Sequence, residues 1–264
     1  VSFQHDVHKR GESQYTPSMS QPSIVRYREF YASPLGRVVR RQLFHAVHQH
    51  WPELRDDVVA AMGYATPPLR PFLRQENGPA QIFPIMSAQQ GAMTWPDHVK
   101  NRAVLVHLDR LPYADHSFNR LVLLHCLEHA DSQHQLMEEC WRILTPGGRM
   151  LVMVPNRASI WARRSSTPFS AGRPYSREQL REVVCHRFTH IETSSHLFVP
   201  PSASRWMQQL ASLIEQCGQM LPFCLGGVTV MEVEKQIYAG LGERVDKKGP
   251  VYVPVARPAL SRQG

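Results

Sequence analysis

Two short apolar runs on either side of one amphipathic segment constrain this chain more than anything else in it. Arg120 to Leu124 is β-prone and continuous enough to be a buried strand, and Arg149 to Val154 is a second run of the same kind. Between them Leu136, Cys140, Ile143 and Leu144 recur at helical spacing, with Asp131 placed to cap the helix. Thr145-Pro146-Gly147-Gly148 ends the helix and turns the chain back. Strand, helix and strand with a short return form a βαβ unit, which makes the two strands parallel.

Further runs extend this pattern into an α/β sheet. Strands are predicted at 57–62, 80–86, 103–108 and 188–193, with a seventh between Gly227 and Tyr238. Ser176 and Gln179 have the spacing of a capping box for a helix carrying Leu180, Val183 and Val184. Near the N-terminus, Ser33-Pro34 opens a helix with Leu35, Val38, Val39, Leu43 and Val47 on one face and Arg37, Arg40 and Arg41 on the other. Tyr27, Phe30 and Tyr31 precede that helix, and Trp51-Pro52 closes it. The organisation expected is a polar disordered tail (1–23), a helical segment (24–52), one α/β domain (53–239) and a basic tail (240–264).

The chain has 264 residues, and 42% of them are hydrophobic, enough for one substantial core. It lacks an apolar run of transmembrane length, and the five cysteines contain no C-x-x-C pair, so reduced thiols and a cytoplasmic location are expected. The formal charge is +8, and arginine far outnumbers lysine. That balance fits either an arginine-rich surface or an anionic ligand or acidic protein partner. No nucleic-acid-binding motif accompanies it, and no membrane partner is indicated. His45, His48 and His50 cluster without a further ligand beside them in sequence, so no metal is expected there.

The stretch around the βαβ unit resembles the second half of a class I S-adenosylmethionine (SAM)-dependent methyltransferase of the small-molecule type. The resemblance rests on Asp109, Leu111-Pro112-Tyr113, Asp115, Ser117-Phe118-Asn119, His125-Cys126-Leu127-Glu128-His129 and Leu144-Thr145-Pro146-Gly147-Gly148, in that order. Asn119 stands where the family usually has Asp. The resemblance implies a doubly wound, seven-stranded, mostly parallel sheet with helices on both faces and an antiparallel last strand. It implies SAM as cofactor, with Asp109 near the adenine amino group, the Arg110-Leu111 backbone against the ring and the His125 carbonyl facing the cofactor's amino group. The family's glycine-rich loop corresponds to Ala61-Met-Gly-Tyr-Ala-Thr-Pro67, so Gly63, Tyr64, Ala65 and Thr66 are the implied cofactor contacts. Only Gly63 keeps its glycine, and Ala61 replaces the acidic residue. The ribose-binding carboxylate is replaced by Ser87-Ala-Gln-Gln90, where Gln89 or Gln90 could bond the ribose without charge, so SAM binding is expected to be either weakened or lost.

Two functions follow from the resemblance: methyl transfer to an unidentified small-molecule or protein acceptor, or a non-catalytic methyltransferase-fold protein that binds a partner. The leading helix could pack on the domain or cover the cofactor as a lid. The loop from Asn156 to Tyr175 follows the fifth strand, on the edge where ligands bind in open α/β folds. Trp161, Arg163, Arg164 and Tyr175 in it could bind an anionic acceptor or form a solvated arginine-rich surface. His129 and His196 are further substrate-side candidates, and no catalytic base is named. His125 to His129 also matches the H-x-x-E-H zinc signature, but that signature requires both histidines on one helix, and here a strand runs directly into His125.

Overall fold

The computed structural model describes residues 22–96, 101–202, 213–215, 218 and 226–236. Seven strands form one sheet: β1 (Val58–Gly63), β2 (Gln81–Ser87), β3 (Val104–Val106), β4 (Phe118–Leu124), β5 (Leu144–Pro155), β6 (Thr189–His196) and β7 (Val228–Glu234). Their spatial order is β3-β2-β1-β4-β5-β7-β6. The β1–β2, β2–β3, β1–β4 and β4–β5 pairs are parallel, whereas β7 runs antiparallel to both β5 and β6. The expected sheet and its reversed last strand are therefore present.

Side-chain alternation explains why helices cover both faces. On one face Val59, Ala61, Val122, Leu124, Leu151 and Met153 meet the helices α1 (Ile24–Ala32), α2 (Pro34–His50) and α3 (Thr66–Leu69). On the other face their neighbours Ala60, Met62, Leu121, Leu123, Met150 and Val152 meet α4 (Gln133–Ile143) and α6 (Arg177–Val184). A single turn, α5 (Ile160–Arg163), follows β5. The capping box forms: the Ser176 side chain accepts from the Gln179 amide, and the Gln179 side chain accepts from the Ser176 amide. The cap of α4 is Ser132 rather than Asp131, which instead accepts a hydrogen bond from Gln89 Nε2 at 2.6 Å. Buried Lys235 closes the other end of α4, donating to the Trp141 and Leu144 carbonyls at 2.6 Å each, where helix carbonyls favour a cation. Thr145 to Gly148, read as a turn, lies within β5 and returns bonds to Lys235.

The N-terminal segment holds two helices where the sequence suggested one. Ser33 alone separates them, and its hydroxyl accepts the Gly36 amide at 3.0 Å as the cap of α2. A Cβ on Gly36 would lie 1.8 Å from the Phe30 carbonyl oxygen, so glycine lets α1 fold back tightly at this corner. Residues 1–21 of the expected 1–23 tail, the expected tail at 240–264, and most of the helix read around Trp206 to Cys217 lie outside the described residues.

Gly63 ends β1 at φ +72°, and a Cβ there would lie 2.4 Å from the Leu124 carbonyl oxygen and 2.8 Å from that of His125. Both contacts are with β4 or the residue after it, so this glycine serves the join of two central strands. Gly63→Ala combines left-handed strain with a backbone clash and should cost at least about 2–3 kcal/mol. A chemical-denaturation midpoint unchanged from the parent would contradict that role.

Candidate functional site

The carboxyl ends of β1, β2, β3 and β4 line up along one edge, the position where open α/β sheets bind ligands. Gly63 to Thr66 follow β1, Ser87 to Gln90 follow β2, Asp109 follows β3 and His125 follows β4. The sequence-predicted cofactor contacts therefore converge on one edge, but their side chains are not equally accessible. Tyr64, Ala65, Thr66, Leu111 and His125 are buried, while Asp109 and Arg110 are exposed. The Leu111 amide already donates to Glu139 Oε2 at 2.7 Å.

What buries the β1–β4 part of this edge is α1. Ile24, Tyr27 and Tyr31 form its inward stripe, spaced three and four residues apart. The Ile24 amide donates to the Gln90 carbonyl at 2.8 Å, fixing the start of the helix to the turn after β2. Tyr27 is stacked on Tyr64 with centroids 5.2 Å apart, and lies 4.6 Å from the His125 ring. Its hydroxyl pairs with His129 Nε2 at 3.1 Å, while the Tyr31 hydroxyl pairs with His125 Nε2 at 3.0 Å. Two tyrosines one helical turn apart thus meet two histidines four residues apart. The H-x-x-E-H pattern has a local explanation: both Nε2 atoms are engaged by α1, and Leu127 to His129 form only a 3-10 turn.

Glu128 holds this arrangement from beneath. One carboxylate oxygen lies 3.3 Å from His125 Nδ1, and the other accepts the Cys126 amide at 3.1 Å. Burial by itself would raise the Glu128 carboxyl, but the hydrogen bond from His125 and the proximity of His129 hold it below the usual carboxylate value. Burial lowers His129, partly offset by Glu128. Burial pushes both tyrosine hydroxyls well above their ordinary value, so they remain protonated at neutral pH and can donate. His125 itself adopts φ +53°, a strained backbone for a non-glycine residue.

Docked α1 fills the part of this edge above β1 and β4 that the methionine end of SAM would need. The His125 carbonyl, the implied partner of the cofactor's amino group, accepts a hydrogen bond from the Gln90 side chain. Tyr27, Tyr31 and Tyr64 occupy the space above β1 and β4. Beside the ends of β2 and β3 lie a cleft of about 80 Å³, lined by Ser87, Gln89, Asp109, His129 and Asp131 among others, and a wider hollow of about 700 Å³ that shares Gln89, His129 and Asp131 with it and reaches Gly172 and Arg173. Ser87 stands at the end of β2 without a carboxylate for a ribose, although the exposed Asp131 carboxylate faces the same cleft from the opposite wall.

The substrate-side candidates separate. Trp161 is buried, with Nε1 donating to the Val199 carbonyl at 2.8 Å and the ring edge-on to Phe169. Tyr175 is also buried, bonded to the Leu127 carbonyl at 3.3 Å and to Gln133. Both are occupied in packing the loop against neighbouring segments, whereas Arg163 and Arg164 are exposed on it. His129 reaches the edge, but His196 lies at the end of β6, bonded to Ser194 Oγ at 2.9 Å.

His50 gains the neighbours that sequence could not place. Its Nδ1 lies 3.0 Å from Glu232 and 3.7 Å from Glu192, a set that could hold a metal ion. Glu232 is already bound by Trp51 Nε1 at 2.9 Å and Arg149 at 3.2 Å, so its charge is compensated without one.

Sequence reasoning missed the roles of Tyr27, Tyr31 and Glu128, and it set Gln90 on the ribose side, whereas the Gln90 side chain donates to the His125 carbonyl. Only the matched four-residue spacings of Tyr27 with Tyr31 and His125 with His129 offered a signal.

Comparison with known proteins agrees with the geometry. Residues 75–152 match a family model described as a methyltransferase domain. No curated protein matches the sequence. Among solved structures, the chain is similar to a SAM-dependent methyltransferase from Thermotoga maritima at 16% identity and a TM-score of 0.57, over 81% of this chain and 96% of that one. It is similar to the complex between a Haloferax volcanii methyltransferase activator and a methyltransferase at 18% identity and a TM-score of 0.55, over 81% and 95%. A [4+2]-cyclase, SpnF, has the same fold at 18% identity and a TM-score of 0.51, over 74% and 80%.

Proposed function

We propose that this chain, which carries a class I methyltransferase domain, is a SAM-dependent methyltransferase whose cofactor edge is closed by its own N-terminal helix. One observation carries this reading. The matched methyltransferase-domain segment spans β2 to most of β5 and supplies Ser87, Asp109 and Asp131, which line one cleft at the ends of β2 and β3, where the adenosine of SAM would lie. SAM, when bound, supplies an activated methyl group, and the protein's part is to align the acceptor and exclude water. In the closed arrangement α1 instead blocks the edge, since its inward stripe leaves the β1 and β4 ends buried. The acceptor, a small molecule or a protein, would approach once α1 has moved.

A non-catalytic binding protein is the second reading. It is favoured by Gln90, whose side chain takes the His125 carbonyl that a cofactor would need. Calorimetric titration with S-adenosylhomocysteine separates the two. Because only the open fraction binds, the apparent dissociation constant should be weak, on the order of 0.1 mM or above. Folded protein that gives no heat at millimolar ligand, in the parent and in variants that release α1, would leave only the second reading.

A further inference from the structure

His50 ends α2 and meets the antiparallel side of the sheet, beyond β5 and away from the strand ends of the cofactor edge. Glu192 on β6 and Glu232 on β7 stand directly opposite one another in the strand register. The register shifts between His190 and Glu192, and an irregularity of that kind re-aims side chains. His50 Nδ1 faces both carboxylates, 3.0 Å from Glu232 Oε2 and 3.7 Å from Glu192 Oε2. The three ligand atoms lie within 4.8 Å of one another. Among the described residues, Glu192 pairs only with His50, and Glu232 shares its one guanidinium, Arg149, with Glu234.

We propose that His50, Glu192 and Glu232 bind a zinc ion that clamps the end of α2 to β6 and β7. Like charges directly opposite on paired strands repel, and a divalent cation between them removes that cost. Zinc bonds of about 2.0–2.2 Å in tetrahedral geometry set neighbouring ligand atoms roughly 3.3–3.6 Å apart. The separations of 3.0 and 3.7 Å about His50 Nδ1 bracket that range. The Glu192 side chain is 59% exposed and can rotate to close the third side. One imidazole with two carboxylates suits zinc better than magnesium or calcium, which prefer oxygen ligands throughout. Three protein ligands leave the fourth position to water.

Partners behind two of the ligands fix their orientation, as they do at metal sites. His50 Nε2 lies 2.9 Å from Ser194 Oγ, and that hydroxyl lies 2.9 Å from His196 Nε2. With its proton on Nε2, His50 donates to Ser194, Ser194 donates onward to His196, and the Nδ1 lone pair is left for the cation. Trp51 Nε1 and Arg149 both donate to Glu232 Oε1, at 2.9 and 3.2 Å, and offset its charge from that side. Oε2 stays turned toward His50. The His50 and Glu232 side chains are buried, so two of the three ligands are held in place before an ion arrives. The carbonyl end of a 17-residue helix also favours positive charge beside His50. The proposal does not depend on methyl transfer, and it can be measured whether or not the protein takes SAM.

The test is calorimetry of the full chain, stripped with chelator and dialysed, with zinc, magnesium and calcium chlorides as probes. One zinc per chain should bind at this site, more tightly than either of the other ions. Zinc at about a hundred times its dissociation constant should raise the melting temperature by several degrees. Glu192→Gln changes an exposed side chain and should fold as the parent does, yet bind zinc at least about tenfold more weakly. His50→Ala should lose the site. His45→Ala/His48→Ala removes two exposed imidazoles from the same helix and should leave zinc affinity unaltered. Absence of zinc binding by the folded parent would overturn the proposal and leave His50 as an ion-pair partner of the two carboxylates. Affinity unchanged in Glu192→Gln, or lost equally in His45→Ala/His48→Ala, would overturn it in favour of adventitious surface binding. Magnesium or calcium bound more tightly than zinc would overturn it in favour of an oxygen-ligand site.

Discussion

Tyr27→Phe/Tyr31→Phe should bind S-adenosylhomocysteine more tightly than the parent, by up to about thirtyfold, because about 2 kcal/mol is removed from the closed arrangement alone. The substitution keeps both rings, so the aromatic packing against Tyr64 and the His125 ring is retained. What is lost is one hydroxyl bond to His129 Nε2 and one to His125 Nε2. Each bond contributes on the order of 1 kcal/mol net, and the His125 ring, fully buried, is left with an unpaired nitrogen when α1 stays docked. Undocking relieves that penalty by giving the nitrogen to water or ligand. The gain appears in affinity only to the extent that the closed form dominates the parent. Calorimetry on the two proteins, with melting curves as a check on folding, measures it. Equal affinities in two folded proteins would mean that α1 does not gate the edge. A gain in affinity without any methylated product in the presence of candidate acceptors would favour a binding role for the opened edge.

The parts of this molecule legible in sequence are those fixed by neighbours in the chain. The βαβ unit, the strand periodicities and the capping box at Ser176 depend on residues a few positions apart, and all are present. The substitution at Asn119 also becomes intelligible. Its Oδ1 accepts the Val58 amide at 3.0 Å, tying the start of β1 to β4, a task an amide oxygen performs as well as a carboxylate. The functional edge was legible as a set of positions, because strand ends follow from strand assignments. Its occupancy was not. Tyr27 meets His129 across 102 positions, and in a nine-residue helix whose apolar residues are spread around it (Val25 and Phe30 as well as Ile24, Tyr27 and Tyr31) nothing local marks which face turns inward. Trp161 and Tyr175 mislead for the same reason. Aromatic residues among arginines look ligand-facing in a string, yet both are buried by elements distant in sequence. His50 was set aside for lack of ligands, and its carboxylate neighbours come from β6 and β7, more than 140 residues away.

The stability of the fold should decline on acidification well before the carboxylates titrate, and His196 should account for much of the decline. Burial pulls His196 from 6.5 to about 4, and the nearby His50 adds to the effect. Ser194 Oγ lies 2.9 Å from His196 Nε2, and Glu215, itself pushed up by burial, lies 3.8 Å from Nδ1. The folded state therefore holds the ring neutral through a range in which the unfolded chain protonates it. The unfolded state binds more protons, so stability present above pH 6.5 is lost progressively as pH falls toward 4, by up to about 3 kcal/mol. Lowered His129 acts in the same direction, while raised Glu215 acts in the opposite one, since its carboxyl protonates earlier in the folded protein. The His196 window is set by a larger shift and begins at higher pH, so it governs the first part of the curve. His196→Asn keeps a partner for Ser194 and removes the titration. Between pH 7.5 and 5 the parent should lose several degrees more in melting temperature than this variant, since about 1 kcal/mol corresponds to roughly 2–4 °C in a domain of this size. Parallel curves for the two proteins would assign the acid sensitivity to another group, with His129 beneath α1 the next to be replaced.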